Sequence, residues 1–264
     1  MARQARTGPG NPAVRSGGVQ SLERAFDLLE AMADAGGEIA LSELATASGL
    51  PLPTIHRLLR TLADLGYVRQ EPSRRYALGP RLIRLGDSAG QMLGAWARPQ
   101  LAALVESVGE TANLAILDGA RAVYVAQVPS PHSMRMFTEV GRRVLPHCTG
   151  VGKALLAQLP DSQVSAIIAA TGLPAQTPNT ITDPAEFMRE LQKIRRQGYA
   201  IDESEQEVGV RCVAVPVLGL PAVTAMSCSG PASRLTNQAV DAHLPLLKRA
   251  AGELTNSIVL GATG

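Results

Sequence analysis

Apolar residues in the first quarter of the chain recur every three or four positions, which is the period of an amphipathic helix. One such helix begins at Val19 and ends at the Gly36–Gly37 pair, and another begins at Pro53, whose fixed φ suits a first turn, and ends at Gly66. Their inward faces are predicted to carry Leu22, Ala25, Phe26, Leu29, Met32 and Ala33 in the one and Ile55, Leu58, Leu59, Leu62 and Leu65 in the other.

A short helix is predicted between these two, over residues 43–47, with Ser42 as its N-cap and Gly49 at its end. After Gly66 the pattern changes to two short strands, 67–70 and 74–78, on either side of a polar turn that contains a proline. Three helices followed by a hairpin are typical of a winged helix-turn-helix domain.

The rest of the chain alternates between helical and strand patterns. Residues 80–97 predict a linker helix whose apolar face carries Leu82, Leu85, Ala89, Met92 and Trp96. Beyond it, the patterns predict helices over 98–108, 151–159, 161–170, 184–197 and 237–259, and strands over 111–117, 121–127, about 133–138, 209–217 and 222–229. The predicted fold class is α+β: an N-terminal winged helix-turn-helix joined by the linker helix to an α/β domain.

Length and composition fit two folded domains with a polar tail. The chain has 264 residues, of which 45% are hydrophobic and 3% aromatic, so it can bury a substantial core. The first residues are rich in Gly, Pro, Arg and Ser and cannot offset the entropy of ordering. The predicted boundaries are 1–18 for a flexible tail, 19–79 for the winged helix-turn-helix domain, 80–97 for the linker helix and 98–264 for the second domain.

Several classes of protein are disfavoured. No apolar run reaches the roughly 18 to 20 residues of a membrane span, and the N-terminus lacks the apolar stretch of a signal peptide, so the expected location is cytoplasmic. The spacing of Cys148, Cys212 and Cys228 fits neither a disulfide framework nor metal ligation. Residues 149–153 suggest a phosphate loop but lack its first Gly and its Ser or Thr after Lys153. No cofactor or metal is therefore expected.

Positive charge is concentrated in the helix-turn-helix. Residues 51–80 contain five arginines against Asp64 and Glu71, although the net charge of the whole chain is only +2. An isolated amphipathic helix would usually be a solvated surface helix, but this helix, preceded by a turn and followed by an Arg-tipped hairpin, is typical of DNA binding. The candidate DNA contacts are Ser42, Pro53, Thr54, His56, Arg57, Arg60, Thr61, Arg74 and Arg75.

Several longer motifs carry a resemblance to a known family. The runs VQSLERAFDLLEAMA, LSELATASGLPLPTIHRLLRTLADLGYVRQ and RYALGPRLIRLG resemble the DNA-binding half of the IclR-type bacterial transcriptional regulators. GETANLAILDGARAVYVAQV, VGRRVLPHCTGVGKALLAQLP, IRRQGYAIDESEQEVGVRCVAVPV and SCSGPASRLT are similar to the effector-binding domain of that family. Within the family, GETANLAI, SMRMFTEVGRRV and HCTGVGKALLA look most like the repressors of allantoin utilisation, which answer to glyoxylate and ureides.

The resemblance implies a repressor that a small carboxylate or ureide releases from double-stranded DNA. Small residues at the start of the helix after Thr149 also suit an anion, because free N–H groups and the positive end of the helix dipole meet there. The period of two places Val210 and Cys212 on one face of their strand, and Ser227 and Ser229 on one face of the next. The effector contacts implied by the family are Gly150, Val151, Asp202, Val210, Cys212, Ser227 and Ser229.

Most of these residues also have a structural interpretation. Gly150 and Val151 could form a tight helix start that only packs. Cys212 suits a small core position, Ser227 and Ser229 could satisfy the backbone at a strand end, and Asp202 could be one more solvated acid of the stretch 202–207. A carboxylate beside an anionic effector makes sense only if the ligand also offers donors or if burial keeps the acid protonated. That requirement favours ureides or hydrated glyoxylate over plain aromatic acids.

Three alternatives stay open from the sequence. The family contains activators, among them regulators of aromatic-acid catabolism, and no residue decides the sign of regulation. An enzyme with a Cys nucleophile would need His147 as base, but adjacent residues of an extended segment point to opposite sides. A metal sensor would need ligands gathered from scattered Cys and His residues.

Because one winged helix reads few base pairs, we also expect a homodimer, or a dimer of dimers, on a palindromic operator.

Overall fold

The computed structural model describes residues 19–136 and 139–261, and the predicted flexible tail, 1–18, lies outside the described residues. The chain divides into two compact units between Ser88 and Ala89. Each unit has its own apolar core. No helix in the described ranges is both long and apolar enough to cross a membrane.

The N-terminal unit contains three helices and a small sheet. The elements are α1 (Gln20–Asp34), β1 (Glu38–Ile39), α2 (Leu41–Ser48), α3 (Leu52–Asp64), β2 (Val68–Gln70) and β3 (Tyr76–Leu78). The strands are antiparallel in the order β1-β3-β2. The centre of the core is formed by side chains with 0% exposure: Leu28, Met32, Leu44, Ile55 and Leu59. The fold class and the winged helix-turn-helix are those predicted.

Three details of this unit differ from the prediction. Strand β1 was not predicted, since two residues are too few for a pattern. Ser42 lies inside α2 and does not cap it: the helix begins at Leu41, and the Glu43 carboxylate accepts the Ala40 N–H at 2.9 Å. The predicted face of α1 is rotated, because Leu28 is buried while Leu22 and Phe26 are exposed.

A helix α4 (Arg81–Leu93) and a 3-10 turn (Ala95–Ala97) follow, and the division between the two units falls within α4. The predicted linker helix over 80–97 therefore has its counterpart in α4 and this turn. The C-terminal unit continues with α5 (Arg98–Val108), β4 (Thr111–Asp118), β5 (Arg121–Val128), β6 (Arg143–Val144), a 3-10 turn (Pro146–Cys148), α6 (Gly150–Leu156), α7 (Asp161–Thr171), α8 (Pro184–Gln197), β7 (Ala200–Glu203), β8 (Val210–Val217), β9 (Thr224–Pro231) and α9 (Asn237–Gly261).

The six strands of the C-terminal unit form one antiparallel sheet in the order β6-β5-β4-β9-β8-β7. Side chains alternate between its two faces, and each face has its own core. One face packs against α5 and α9 through residues such as Leu101, Val213, Met226, Cys228 and Leu254. The other packs against α6 and α8 through residues such as Ala115, Val151, Leu155, Phe187 and Ala214.

Two strand assignments in this unit need correction. The strand predicted over 133–138 is wrong for residues 133–136: residues 133 and 134 form a bend, and residues 135 and 136 have no regular secondary structure. Residues 137 and 138 lie outside the described ranges. This segment is held by side-chain hydrogen bonds and not by backbone pairing with a strand. The Thr111 hydroxyl donates to the Met136 carbonyl, and the Arg234 guanidinium donates to the Met134 carbonyl. Strand β7 was not predicted: two of its residues belong to the acidic stretch 202–207, yet the strand pairs with β8 along its whole length.

Candidate functional site

Helix α3 presents a polar face opposite its buried leucines. His56, Arg57 and Arg60 are exposed along it, and they line a cavity of about 550 Å³ together with Gln70 of strand β2. An exposed row of guanidinium and imidazole donors can reach base edges and phosphates in a major groove. The helix is kept in place by its apolar side, which is buried against α1 and α2.

The other predicted contacts near α3 lie at its ends. Pro53 is exposed in the first turn, and Thr54 is half-buried beside it. Thr61 is exposed, but its hydroxyl donates to the Arg57 carbonyl at 3.1 Å, which leaves only its lone pairs for a ligand. Ser42 is exposed on α2, the helix that precedes the turn.

The two neighbouring arginines of the wing have different surroundings. Arg74 is exposed at the tip of the hairpin with φ +63°, a left-handed conformation that is rare outside glycine. Arg75 is instead bound by the acids of the domain: its Nε lies 3.2 Å from Glu38 and its Nη2 lies 3.1 Å from Glu43. The guanidinium of Arg74 is therefore on the exposed tip of the wing, whereas Arg75 ties the wing to α2.

In the C-terminal unit, three of the predicted effector residues form one line across the sheet. Asp202 of β7 stands opposite Cys212 of β8, which stands opposite Ser229 of β9. Directly opposed residues of antiparallel strands project from the same face. Ser227 lies two residues from Ser229 on that face, opposite Asn113 of β4. The four predicted side chains are thus brought together, and Val210 lies at the rim, half-buried at the start of β8.

Helix α6 begins directly over this line. Thr149 caps the helix, since its hydroxyl accepts the Gly152 N–H at 3.1 Å. A Cβ on Gly150 would lie 2.7 Å from the Cys212 Sγ, so only glycine lets the helix start approach the sheet this closely. The side chain of Val151 is buried in the core beneath α6, so what Val151 can offer a ligand is its N–H. Gly150 and Val151 therefore bring backbone donors to the Asp202, Cys212 and Ser229 line.

Asp202 is 4% exposed, and burial raises the pKa of its carboxyl to about 7, with the neighbouring Glu205 charge adding to the rise. A main-chain donor partly offsets this effect, because the Glu205 N–H donates to Asp202 Oδ1 at 2.7 Å. Near neutral pH the carboxyl can therefore hold a proton. Burial with a raised pKa is one of the two conditions under which an acid can stand beside an anionic effector.

Sequence reasoning missed a hydrogen-bonded amide at the centre of the same face. Asn113 Nδ2 donates to the hydroxyl oxygens of Ser227 and Ser229 at 3.4 and 3.3 Å, and Asn113 Oδ1 accepts from Gln127 at 3.2 Å. Asn113 therefore fixes the orientation of both serines. A signal was available: Asn113 is the one amide in the apolar run TANLAI, and buried amides require partners.

A buried ion pair behind Asp202 was missed as well. Lys153 of α6 is 1% exposed, and its ammonium lies 2.5 Å from a Glu205 carboxylate oxygen. The sequence-based hypothesis dismissed Lys153 together with the phosphate loop. Its position inside an otherwise apolar helix turn was the usable signal, since a buried ammonium requires an anionic partner.

Cys148 and His147 do not meet. The Cys148 thiol donates to Gln206 Oε1 at 2.8 Å, while His147 Nε2 contacts the Pro174 carbonyl at 3.1 Å. Burial raises the pKa of the Cys148 thiol to about 12, with the charges of Asp202 and Glu205 adding to it. A thiol held in that form is a poor nucleophile. In the described ranges no group of three or more His, Cys, Asp or Glu side chains is placed to hold a metal ion.

Comparison with known proteins agrees with both halves of this description. Residues 21–72 match the family described as the IclR helix-turn-helix domain, and residues 90–256 match the family described as the bacterial transcriptional regulator IclR C-terminal domain. The acetate operon repressor of Salmonella typhimurium is 38% identical over 96% of this chain and 95% of its own. The transcriptional repressor AllR of Escherichia coli is 32% identical over 99% of this chain and 98% of its own.

A solved structure shows the same fold with a small molecule bound. It is an IclR homologue from Microbacterium hydrocarbonoxydans in complex with 4-hydroxybenzoate, 25% identical, with a TM-score of 0.76 over 89% of this chain and 98% of that chain. Both domain matches and the relatives agree with a helix-turn-helix unit followed by a C-terminal unit. The chain belongs to the IclR family of bacterial transcriptional regulators.

Proposed function

We propose that this protein represses a catabolic gene set for allantoin, glyoxylate or a similar small acid, and that a small carboxylate or ureide releases it from a palindromic operator. The observation that carries the effector proposal is the line of Asp202, Cys212 and Ser229 beneath the Gly150 and Val151 N–H groups. Backbone N–H groups and serine hydroxyls suit the carboxylate of the effector, and a protonated Asp202 removes the repulsion.

The relatives support repression and, through the acetate operon, a gene set for a small acid. One relative is a repressor of an acetate operon and another is the repressor AllR, at 38% and 32% identity. Small side chains line the proposed site and its polar groups are close together, which suits a ligand with several donors and acceptors on few atoms. A second candidate, regulation by an aromatic acid, is supported by the homologue that binds 4-hydroxybenzoate.

DNA recognition is tested at α3. The exposed guanidinium groups of Arg57 and Arg60 are proposed to contact bases, so Arg57→Ala and Arg60→Ala should each weaken operator binding by about 1–3 kcal/mol. Fluorescence anisotropy with operator DNA, selected from the region upstream of the gene, measures this loss. Arg196→Ala, on the exposed surface of α8, is the matched control and should bind as the wild type does. Unchanged affinity in both α3 variants would refute the assignment.

The effector is identified by its ability to release the full-length protein from operator DNA. Glyoxylate, pyruvate, allantoin, allantoate and 4-hydroxybenzoate are titrated into the protein–DNA complex, and we expect release by one of the first four. A ligand can shift the DNA-binding equilibrium only by its differential affinity for the two conformations, typically about 1–3 kcal/mol. Release by 4-hydroxybenzoate alone would replace the small-acid proposal with the aromatic one.

The site itself is tested with serine variants. The double change Ser227→Ala/Ser229→Ala should abolish the response to the effector while leaving operator affinity without effector nearly unchanged. Ser165→Ala, on the exposed face of α7, is the control and should respond as the wild type does. A full response in the double variant would show that the effector binds elsewhere.

A further inference from the structure

A chain of amide hydrogen bonds leads from strand β5 to the two serines of the proposed effector site. Asn113 of β4 lies opposite Gln127 of β5 on one side and opposite Ser227 of β9 on the other. Gln127 Nε2 donates to Asn113 Oδ1, and Asn113 Nδ2 donates to the oxygens of Ser227 and Ser229. Asn113 and Ser227 are 0% exposed and Ser229 is 5% exposed, so bulk water does not compete for these contacts.

The count of donors decides which way the Asn113 amide points. In the observed orientation both N–H groups of Nδ2 meet a serine oxygen, and Oδ1 receives the Gln127 N–H. In the reversed orientation Oδ1 would face both serines, and Gln127 could take only one of the two N–H groups. The other would be a buried donor with no partner among these side chains, which is costly. The observed orientation is therefore the stable one.

This orientation makes both serines donors. A hydroxyl has one O–H donor and two lone pairs, and the Asn113 N–H occupies a lone pair, so the O–H of each serine points to another group. Without an effector that group is the Cys212 sulfur. Burial raises the pKa of the Cys212 thiol to about 11 and the Asp202 charge adds to the rise, while hydrogen bonds from Ser229 and Ser227 oppose it. The chain of donors thus runs in one direction, from Gln127 toward the Asp202, Cys212 and Ser229 line.

We propose that Gln127 and Asn113 are specificity-determining residues of the effector site, because they hold Ser227 and Ser229 as donors that bind a carboxylate and reject the corresponding amide. This inference rests on the proposed function and adds the rule by which the site selects its ligand. The two oxygens of a carboxylate receive both hydroxyls, whereas the NH2 of a primary amide meets a donor and stays unpaired.

The rule also orients the effector and narrows its class. With the carboxylate at the serines, the donors of the ligand, such as the hydroxyls of hydrated glyoxylate or the N–H groups of a ureide, are left for Asp202. Glyoxylate, pyruvate and allantoate have a carboxylate for the serine end, and allantoin does not. Allantoin should therefore bind more weakly than allantoate.

The binding test compares acids with their own amides in the full chain. Calorimetry uses three pairs of probes: glyoxylate and glyoxylamide, pyruvate and pyruvamide, and 4-hydroxybenzoate and 4-hydroxybenzamide. In each pair that binds, the wild type should bind the acid at least about tenfold more tightly than the amide. Equal affinity for acid and amide would overturn the inference even if the effector site itself is correct.

Variants of Gln127 change the polarity of the chain and leave the serines in place. Gln127→Met removes the donor to Asn113 Oδ1 and adds no charge, so the amide can turn and the preference for the acid should fall at least about threefold. Gln127→Glu offers only acceptors, so it turns the Asn113 N–H groups toward itself and should make the amide the better ligand. Gln163→Met, on the exposed surface of α7, is the matched control. The wild-type preference in both Gln127 variants, folded by circular dichroism, would overturn the inference.

Neutron diffraction tests the same polarity without an effector. In crystals of the deuterated protein, both deuterium atoms of Asn113 Nδ2 should point at the oxygens of Ser227 and Ser229. Asn113 Oδ1 facing the serines would overturn the inference, whatever the effector is. If no acid binds the wild type, the proposed effector class fails, and the deuterium positions still decide the polarity of the chain.

Discussion

Arg74 combines an unfavourable backbone conformation with an exposed guanidinium at the tip of the wing. Its φ of +63° costs a non-glycine residue roughly 1–2 kcal/mol, and the turn is closed by its own N–H, which donates to the Glu71 carbonyl at 2.8 Å. Strain retained at an exposed arginine suggests a use for that side chain. Arg75, by contrast, has its partners within the domain.

Replacing Arg74 should therefore weaken DNA binding without lowering the stability of the protein. Arg74→Gly relieves the backbone strain, so the free energy of unfolding should stay equal or rise by up to about 1 kcal/mol, while operator binding weakens. The slope of log affinity against log salt concentration should become shallower by the amount expected for about one lost phosphate contact. Urea unfolding and anisotropy across a salt series measure the two effects. Arg74→Lys, which keeps the charge and the backbone strain, is the control. If Arg74→Gly bound the operator as tightly as the wild type does, Arg74 would not be a DNA contact.

Asp202 should make stability depend on pH in a defined direction. Burial raises the pKa of its carboxyl to about 7, so the native state holds the proton more tightly than the unfolded chain. The stabilising contribution is complete below about pH 4 and is lost as pH rises through about 7. Asp202→Asn lacks this loss, so the variant should gain stability relative to the wild type between about pH 5 and about pH 8. Urea unfolding at several pH values tests this, and a constant difference across the range would contradict it.

The same carboxyl should control the affinity for an anionic effector. Above about pH 7 the ionised Asp202 repels a carboxylate, so binding of glyoxylate to the wild type should weaken as pH rises through this value. Asp202→Asn stays neutral and should show no such change. Calorimetry of both proteins across the pH range measures the difference. Parallel pH profiles in the two proteins would show that Asp202 does not face the effector.

At the scale of secondary-structure elements, the contact that shapes the proposed effector site is the one between the start of α6 and β8. A Cβ on Gly150 would lie 2.7 Å from the Cys212 Sγ and 3.4 Å from the Cys212 carbonyl oxygen. Gly150→Ala must therefore move α6 away from the sheet, and overpacking of this kind costs about 1–3 kcal/mol. We expect a lower thermal midpoint together with a weaker effector response, because the helix start and the strand no longer converge.

Two further variants make this prediction specific. Cys212→Ala added to Gly150→Ala removes the clashing sulfur and should recover part of the stability. Gly252→Ala is the control, since an added Cβ there meets no atom within 4 Å and alanine is the better helix former in α9. A loss of stability at Gly252 equal to that at Gly150 would mean that backbone effects, not the contact with Cys212, dominate.

For the whole molecule, the exposed apolar residues of the N-terminal unit predict association. Leu22 and Phe26 on α1 and Ile83 and Leu85 on α4 are each more than half exposed. Residues of this kind are usual at interfaces between subunits, and a winged helix needs a second copy to read a palindrome. We therefore expect a dimer, or a dimer of dimers, in solution.

Sedimentation tests this association. Ile83→Glu and Leu85→Glu should shift the protein toward the monomer and weaken operator binding, because a charge in an apolar interface is costly. Gln163→Glu, on the exposed surface of α7, is the control for added negative charge. A wild-type protein that is monomeric at micromolar concentration, with or without DNA, would contradict the prediction.

The sequence by itself determined the elements and the class of protein. Periodicity placed α3, the wing and α9 because an apolar face at a fixed spacing is a local property, and glycines and prolines mark the ends of elements. The same period of two correctly placed Ser227 and Ser229 on one face of their strand, the face that Cys212 of the neighbouring strand shares. The two-residue strands β1 and β6 carry too few positions for a period and were missed, as was the four-residue strand β7.

Only the tertiary structure decided which polar groups act together. Arg74 and Arg75 are neighbours in sequence, but the acids that hold Arg75 come from positions 38 and 43. Lys153 and Glu205 are far apart along the chain and meet inside the protein, and the burial that raises the pKa of Asp202 comes from the elements packed around it. Charge pairing and desolvation depend on distance in space, which local patterns do not encode.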